Sequence, residues 1–170
     1  MSEQTVHEAI TCESVQAWRS FLEAHARVTD ELERELQETQ GLPLAFYDVL
    51  AQLARAPEGR LRMQDLAQRL LLSRSGFTRL SDRMEAAGLL QRSRCPSDRR
   101  GVYAEITPAG RAALDAAAPV HMRGVQEHFA RYLGTDDLQV LRGLLDRVCE
   151  GNRTQGAVPG AGRDVETPPG

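Results

Sequence analysis

Residues 61–107 read LRMQDLAQRLLLSRSGFTRLSDRMEAAGLLQRSRCPSDRRGVYAEIT and decide the fold of the chain. Apolar residues at helical spacing predict a first helix over residues 63–70. Ser73 is a suitable N-cap for a second helix over residues 74–87, because its hydroxyl can accept from the free amides of the first turn. Gly88 follows, where a left-handed residue ends a helix. The sequence therefore predicts two short helices that meet at a tight turn.

The second predicted helix has two different faces. Phe77, Leu80 and Met84 form an apolar back, and the opposite face carries Arg74, Ser75, Thr78, Arg79, Asp82 and Arg83. Arginine makes bidentate contacts to guanine, and serine and threonine bond either bases or phosphates. Such a helix is typical of one that lies in a DNA major groove. The predicted contacts from the helix are Ser73, Arg74, Ser75, Thr78, Arg79 and Arg83.

A two-stranded ribbon is predicted next, with strands over residues 89–94 and 101–107. In the second strand, apolar side chains alternate with larger or polar ones, as in a strand with one buried face. Their connection, residues 95–100, is rich in turn formers and basic groups. A guanidinium on such a tip can enter a DNA minor groove, where the negative potential is concentrated. We expect Asp98 to orient an arginine, because a carboxylate beside phosphates would be repelled. The predicted contacts from the ribbon are Arg94, Arg99 and Arg100.

The order of these motifs resembles that of the MarR family of winged helix-turn-helix regulators. The resemblance rests on SRSGFTRLSDRMEAAGLLQR at residues 73–92, DRRG at residues 98–101 and ITPAGR at residues 106–111, and it covers roughly residues 13–150. It implies a mainly α (α+β) fold, a winged helix-turn-helix whose N- and C-terminal helices form a dimerisation lobe. It also implies a homodimer that binds palindromic operators and is released by small ligands or thiol oxidation.

The charge is distributed in favour of DNA binding although the net charge is −3. Residues 60–100 carry ten arginines and four acids, whereas residues 1–59 carry four arginines and eleven acids. A basic centre between acidic flanks directs phosphate to one surface and repels it elsewhere. We therefore expect double-stranded DNA as the partner.

The flanking segments suggest a domain order. We expect a flexible N-terminus over residues 1–12, a dimerisation helix over 13–42, the DNA-binding domain over 43–107, C-terminal dimerisation helices over 108–150 and a disordered tail over 151–170. The helix that starts at Pro108 is predicted to reach about Leu133 and to be kinked or split at Pro119. Apolar stripes on the outer helices predict a homodimer whose recognition helices are roughly 34 Å apart.

Several classes of protein are not expected. No apolar run approaches roughly 18 residues, no secretory signal is visible, and three widely spaced cysteines do not form a disulfide framework, so we expect a cytoplasmic protein. No nucleophile–base pair, phosphate loop or paired-carboxylate motif is visible, so an enzyme is not expected. No cofactor is expected, and the four histidines lack the close spacing of a metal site.

A small-molecule pocket is expected where the dimerisation helices meet the DNA-binding domain, and the resemblance implies an aromatic or phenolic ligand. The candidate residues are Trp18, His25, Tyr47, Asp48, Met84 and His121. Each has a simpler interpretation: Trp18 and Tyr47 as core aromatics, the histidines as surface or packing residues. Asp48 between apolar neighbours suggests a buried partner such as an arginine.

Two alternative functions remain open at this point. The chain is alternatively an oxidant-sensing DNA-binding regulator, in which Cys12 or Cys95 carries the reactive thiol. It is otherwise a winged-helix module that binds a protein through its basic face. The Ser/Thr/Arg face argues against the protein-binding module, because protein interfaces favour exposed aromatic residues.

Overall fold

A computed structural model describes residues 13–95 and 98–155. The chain is mostly helical with a small antiparallel sheet, so the predicted fold class and the winged helix-turn-helix are confirmed. In chain order the elements are α1 (Glu13–Gln40), α2 (Leu44–Arg55), β1 (Arg60–Arg62), α3 (Met63–Arg69), α4 (Arg74–Ala86), β2 (Leu90–Cys95), β3 (Asp98–Ile106), α5 (Pro108–His128) and α6 (Thr135–Gln155).

One apolar core holds the first eight of these elements together. Leu50 and Leu53 of α2, Leu66 of α3, and Phe77 and Met84 of α4 are at most 1% exposed and belong to one cluster. Their positions follow the helical spacing of the sequence, which places one apolar stripe of each helix inward. This core fixes the orientation of α4, because its apolar back is fully buried and its opposite face must point outward.

The turn that follows α4 lies directly against the start of α5. Gly88 has the positive φ of 71° expected after a helix end. Thr107 caps α5 by accepting from the amide of Gly110 at 2.9 Å, and its hydroxyl donates to the carbonyl of Gly88 at 2.7 Å. A Cβ atom at Gly110 would lie 2.0 Å from the carbonyl oxygen of Leu89. Only glycine therefore allows α5 to start this close to the end of α4.

The sheet contains a strand that the sequence prediction missed. Its order is β1-β3-β2, with all pairs antiparallel, and β1 places Leu61 opposite Ala104. Three residues are too few to show an alternating pattern. The ribbon is also longer than predicted, since pairing continues to Cys95 opposite Asp98 beyond a bulge after Arg94. The predicted six-residue connection over residues 95–100 was therefore wrong.

Three predicted helix features need correction. α5 ends at His128, and a short 3-10 turn over Ala130–Tyr132 replaces the predicted continuation to Leu133. Pro119 lies within α5, so the alternative that this proline splits the helix in two was wrong. α6 continues to Gln155, so the tail was predicted to start too early. Residues 1–12 and 156–170 lie outside the described part of the chain.

The chain divides into two compact units, one that ends at Phe129 and one that starts at Ala130. The first contains α1 to α5 and the sheet, and the second contains α6. α6 exposes several large apolar side chains, namely Val140, Leu144, Leu145 and Val148. Within residues 13–95 and 98–155, no helix combines the length and the apolar character needed to cross a bilayer.

Candidate nucleic-acid interface

The outward side of α4 forms a surface that we call the recognition face, consisting of Arg74, Ser75, Thr78 and Arg79. All four side chains are exposed. The helix begins as predicted, because the Ser73 hydroxyl accepts from the amide of Gly76 at 3.1 Å. The Thr78 hydroxyl donates to the carbonyl of Arg74 at 2.8 Å, which fixes this side chain on the helix. Among the described residues, neither Arg74 nor Arg79 forms an ion pair, so both charges face solvent.

The other predicted contacts differ in their surroundings. The Arg83 guanidinium lies 5.2 Å from the centre of the Phe46 ring of α2, so this cation is held at the flank of the recognition face. Arg94 is exposed on β2. The predictions for the side chains of Asp98, Arg99 and Arg100 lie outside the part of the chain that the structure describes.

Arg92 of β2 connects the wing to α4, a role that no pattern in the sequence indicates. Its Nη2 atom donates to the hydroxyl of Ser81, which is fully buried, and to Oδ1 of Asp82 at 2.5 Å. Its Nη1 atom lies 3.5 Å from Oε2 of Glu85, and its backbone amide donates to the same carboxylate at 3.2 Å. One arginine therefore ties the second strand to three positions on the recognition helix.

These contacts also explain the acids in a helix that should face phosphates. Asp82 was predicted to share the outward face of α4, and both it and Glu85 pair with Arg92. Arg92 carries a single positive charge, so it offsets part of the negative charge of these two acids, and the positive charge of the recognition face comes from Arg74 and Arg79. The arrangement suits a helix that approaches an anionic duplex.

An acid of the sheet, Glu105, is stabilised in its charged form by hydrogen bonds. Glu105 of β3 accepts from the hydroxyl of Ser93 and from the amide nitrogen of Gln91. These two donors, together with the nearby Arg60, hold the pKa of Glu105 below its usual range. The side chains come from adjacent registered positions on β2 and β3, so they also fix the pairing of the wing.

A cleft of about 330 Å³ lies beside α2 and α5, and we call it the α2–α5 cleft. Three of the predicted pocket residues line it: Tyr47, Asp48 and His121. The rings of Tyr47 and His121 stack with centroids 4.2 Å apart. Arg55 and Arg69 also line the cleft, and neither could be found from the spacing of residues in the sequence.

Burial dominates the electrostatics of the α2–α5 cleft. It lowers the pKa of His121, to which Arg55 also contributes, and it raises the pKa values of Asp48 and Tyr47. The Nδ1 atom of His121 is buried and has no hydrogen-bond partner among the described residues. The cleft therefore combines two stacked rings and two guanidinium groups, and one of the rings has a buried nitrogen that no described residue bonds.

The other three predicted pocket residues lie elsewhere. Trp18 is 56% exposed and stacks on Phe21 at 5.7 Å, so its interpretation as a core residue was wrong. His25 is exposed on the same helix, and Met84 is fully buried on the inner face of α4. Asp48 keeps an exposed surface at the cleft, although the surrounding atoms partly desolvate its carboxylate. It forms no ion pair within the described ranges, so the predicted buried arginine partner was wrong.

Comparison with known proteins identifies the fold and its function. The family model described as MarR family matches residues 40–101, which span the recognition helix and most of the wing. The uncharacterized HTH-type transcriptional regulator YkoM of Bacillus subtilis is 30% identical over 113 residues, which cover 66% of this chain and 71% of YkoM.

Two solved structures from Streptomyces coelicolor are similar over most of the chain. AbsC, a MarR family transcriptional regulator, is 36% identical with a TM-score of 0.78, covering 84% of this chain and 97% of AbsC. Sco3205, a MarR family regulator solved in complex with DNA, is 35% identical with a TM-score of 0.78, covering 83% and 88% of the two chains. The protein is therefore a member of the MarR family of DNA-binding transcriptional regulators.

Proposed function

We propose that the protein is a homodimeric repressor that binds a palindromic operator and leaves it when a small aromatic or phenolic anion binds. The observation that carries the DNA-binding part is the recognition face. It presents two solvent-facing arginines and two hydroxyls on a helix whose back is fixed in the core. Arginine and hydroxyl groups of this kind bind base edges and phosphates in the major groove.

The wing contributes the second contact region of the proposed interface. Arg92 holds β2 against α4, so the recognition face and the wing would approach DNA as one rigid surface. The relative Sco3205 was solved in complex with DNA, which supports DNA as the partner of this fold. We propose Arg94, Arg99 and Arg100 as wing contacts, with Asp98 orienting an arginine and Arg100 entering the minor groove.

The exposed apolar residues support a homodimer. Trp18, Phe21 and Leu22 of α1 are 41–56% exposed, and α6 exposes a further apolar row. Soluble helices bury such stripes, and a second copy offers the matching surface. Two-fold symmetry would present two recognition helices roughly 34 Å apart, which is why we propose a palindromic operator.

The α2–α5 cleft is the proposed effector site. Stacked Tyr47 and His121 provide an aromatic wall, and Arg55 and Arg69 provide positive charge. An aromatic carboxylate or phenolate would satisfy both. Release follows if the ligand binds more tightly to a dimer whose recognition helices are wrongly spaced, because it then shifts the population away from the DNA-competent form.

Operator binding is tested on the DNA upstream of the protein's own gene by fluorescence anisotropy over a range of salt concentrations. Arg74→Ala and Arg100→Ala are expected to weaken binding, and removal of one phosphate-binding guanidinium should reduce the salt slope by about one unit. Arg142→Ala is the matched control, because this exposed arginine lies on α6. Unchanged affinity in both interface variants would contradict the proposed contacts.

Effector binding is tested separately with benzoate and 4-hydroxybenzoate as probes. We expect either probe to raise the melting temperature and to lower operator affinity, and Arg55→Met to weaken both effects. Light scattering of the free protein tests the dimer. A stable monomer at micromolar concentration would overturn the palindromic arrangement, and probes that bind without changing operator affinity would overturn release.

A further inference from the structure

His128, Glu35 and Glu127 lie together where the end of α5 packs against α1. Each offers one ligand atom, and these three atoms all lie within 4.8 Å of one another. His128 and Glu127 are the last two residues of α5, whereas Glu35 lies 93 residues before His128 in the chain. The cluster belongs entirely to the first compact unit and is separate from both the recognition face and the α2–α5 cleft.

The carboxylate of Glu35 is only half satisfied. Its Oε1 atom lies 2.7 Å from Nε2 of His128, and the side chain is 16% exposed. Its Oε2 atom is buried and has no hydrogen-bond partner among the described residues. A buried, unsatisfied carboxylate oxygen is costly, so this atom is placed to receive a further ligand.

The backbone holds this carboxylate close to α5. A Cβ atom at Gly124 would lie 2.9 Å from Oε2 of Glu35 and 2.6 Å from Cδ2 of Leu32. Glycine at this position therefore allows the two helices to approach and leaves room for the carboxylate. Arg34, the residue before Glu35 on α1, pairs with Glu31 and Glu38, so its guanidinium is engaged by other acids.

We propose that Glu35, Glu127 and His128 bind a divalent transition-metal ion, with zinc as the best fit. Imidazole nitrogen with carboxylate oxygen suits zinc and its neighbours, whereas magnesium and calcium prefer oxygen alone. Tetrahedral zinc with bonds of about 2.0–2.1 Å requires donor atoms about 3.3 Å apart. The 2.7 Å pair of Glu35 and His128 needs to open slightly to admit the ion. Three protein ligands leave one position for water.

The site would hold the last turn of α5 to α1 by a metal bridge. No spacing in the sequence indicates it, because metal sites are recognised from closely spaced ligands and one of these comes from a distant helix. The proposal is independent of the operator and the effector. Its test therefore measures metal binding directly.

Zinc binding is measured by isothermal titration calorimetry on the full chain without an affinity tag, after treatment with EDTA. We expect one zinc ion at this site per chain, and a weakening of about tenfold or more in Glu35→Gln, Glu127→Gln and His128→Gln. Glu127 is exposed, so its substitution leaves the fold intact. His25→Gln is the matched control, because His25 is an exposed histidine of α1 outside the cluster. Magnesium chloride is expected to show no binding at the same concentrations.

The position of the ion is determined by anomalous scattering at the zinc edge from crystals grown with zinc chloride. We expect a peak bonded to Glu35 and His128. Absence of zinc binding, a zinc affinity in all three ligand variants equal to that of the unmodified protein, or a peak confined to cysteine thiols would each overturn the proposal. A hydrogen-bonded Glu35–His128 pair that excludes the ion is then the correct description.

Discussion

Replacing Arg92 with alanine is expected to destabilise the DNA-binding region by about 2 kcal/mol. The substitution removes a hydrogen bond to the buried Ser81, which contributes about 1 kcal/mol. It also removes ion pairs with Asp82 and Glu85, whose side chains are 55% and 42% exposed. Water reclaims these carboxylates, so each pair contributes only about 0.2–1 kcal/mol. Ser81 still donates to the carbonyl of Thr78, which limits the loss.

Operator affinity is expected to fall by about tenfold or more in the same variant, beyond any effect of unfolding. Without Arg92 the wing and α4 are no longer fixed to each other, and ordering them on DNA has an entropic cost. Urea unfolding at fixed protein concentration measures the stability, and fluorescence anisotropy without urea, at a temperature where the variant is fully folded, measures the affinity.

The matched control is Arg27→Ala. Like Arg92, Arg27 pairs with a glutamate, but this pair lies within one helix and the Arg27 side chain is 78% exposed. It should change stability by less than about 0.5 kcal/mol. A double-mutant cycle with Asp82→Asn should give a coupling of about 0.5 kcal/mol or more with Arg92→Ala. Equal stability of Arg92→Ala and the control, or zero coupling, would refute the proposed link between wing and recognition helix.

Three further changes have defined outcomes. Ser73→Ala removes the cap that accepts from Gly76 and should cost about 1 kcal/mol in urea unfolding, and no loss would exclude the cap. Gly110→Ala forces a Cβ atom against the Leu89 carbonyl and should lower stability by more than about 2 kcal/mol, whereas Gly143→Ala, which meets open space, should not destabilise. Burial lowers the pKa of His121, so the unfolded chain takes up a proton that the native state refuses, and stability falls as pH drops below the ordinary value of 6.5. The free energy of unfolding of His121→Phe should fall less between about pH 7 and pH 5 than that of the unmodified protein. The same change in urea midpoint over that range in both proteins would contradict this.

Local features of the fold were predictable because they depend on residues a few positions apart. The caps at Ser73 and Thr107, the turn at Gly88 and the two faces of α4 all follow from helical geometry and the chemistry of helix ends. Contacts between elements that are distant in the sequence were not predictable. β1 is too short to show a pattern, and Arg92 meets its hydrogen-bond partners Ser81 and Asp82 ten or more residues away on α4.

The candidate pocket shows the same division. Tyr47 and His121 meet in the α2–α5 cleft although 74 positions separate them, a distance over which spacing carries no information. Trp18 belongs to an apolar stripe that is exposed among the described residues, and its period alone could not show which residues of the stripe are buried. Leu32 and Leu36 of the same stripe are buried because α1 packs on the core near its end.

The central claim is that two copies of the chain bind one inverted repeat through their recognition faces. Sheared genomic DNA is incubated with the purified protein, and the retained fragments are sequenced and titrated by anisotropy with a known amount of chain. We predict enriched fragments that share an inverted repeat with half-sites about one DNA turn apart, and two chains bound per repeat. Retention of no fragment above random competitor DNA at moderate salt would contradict the account.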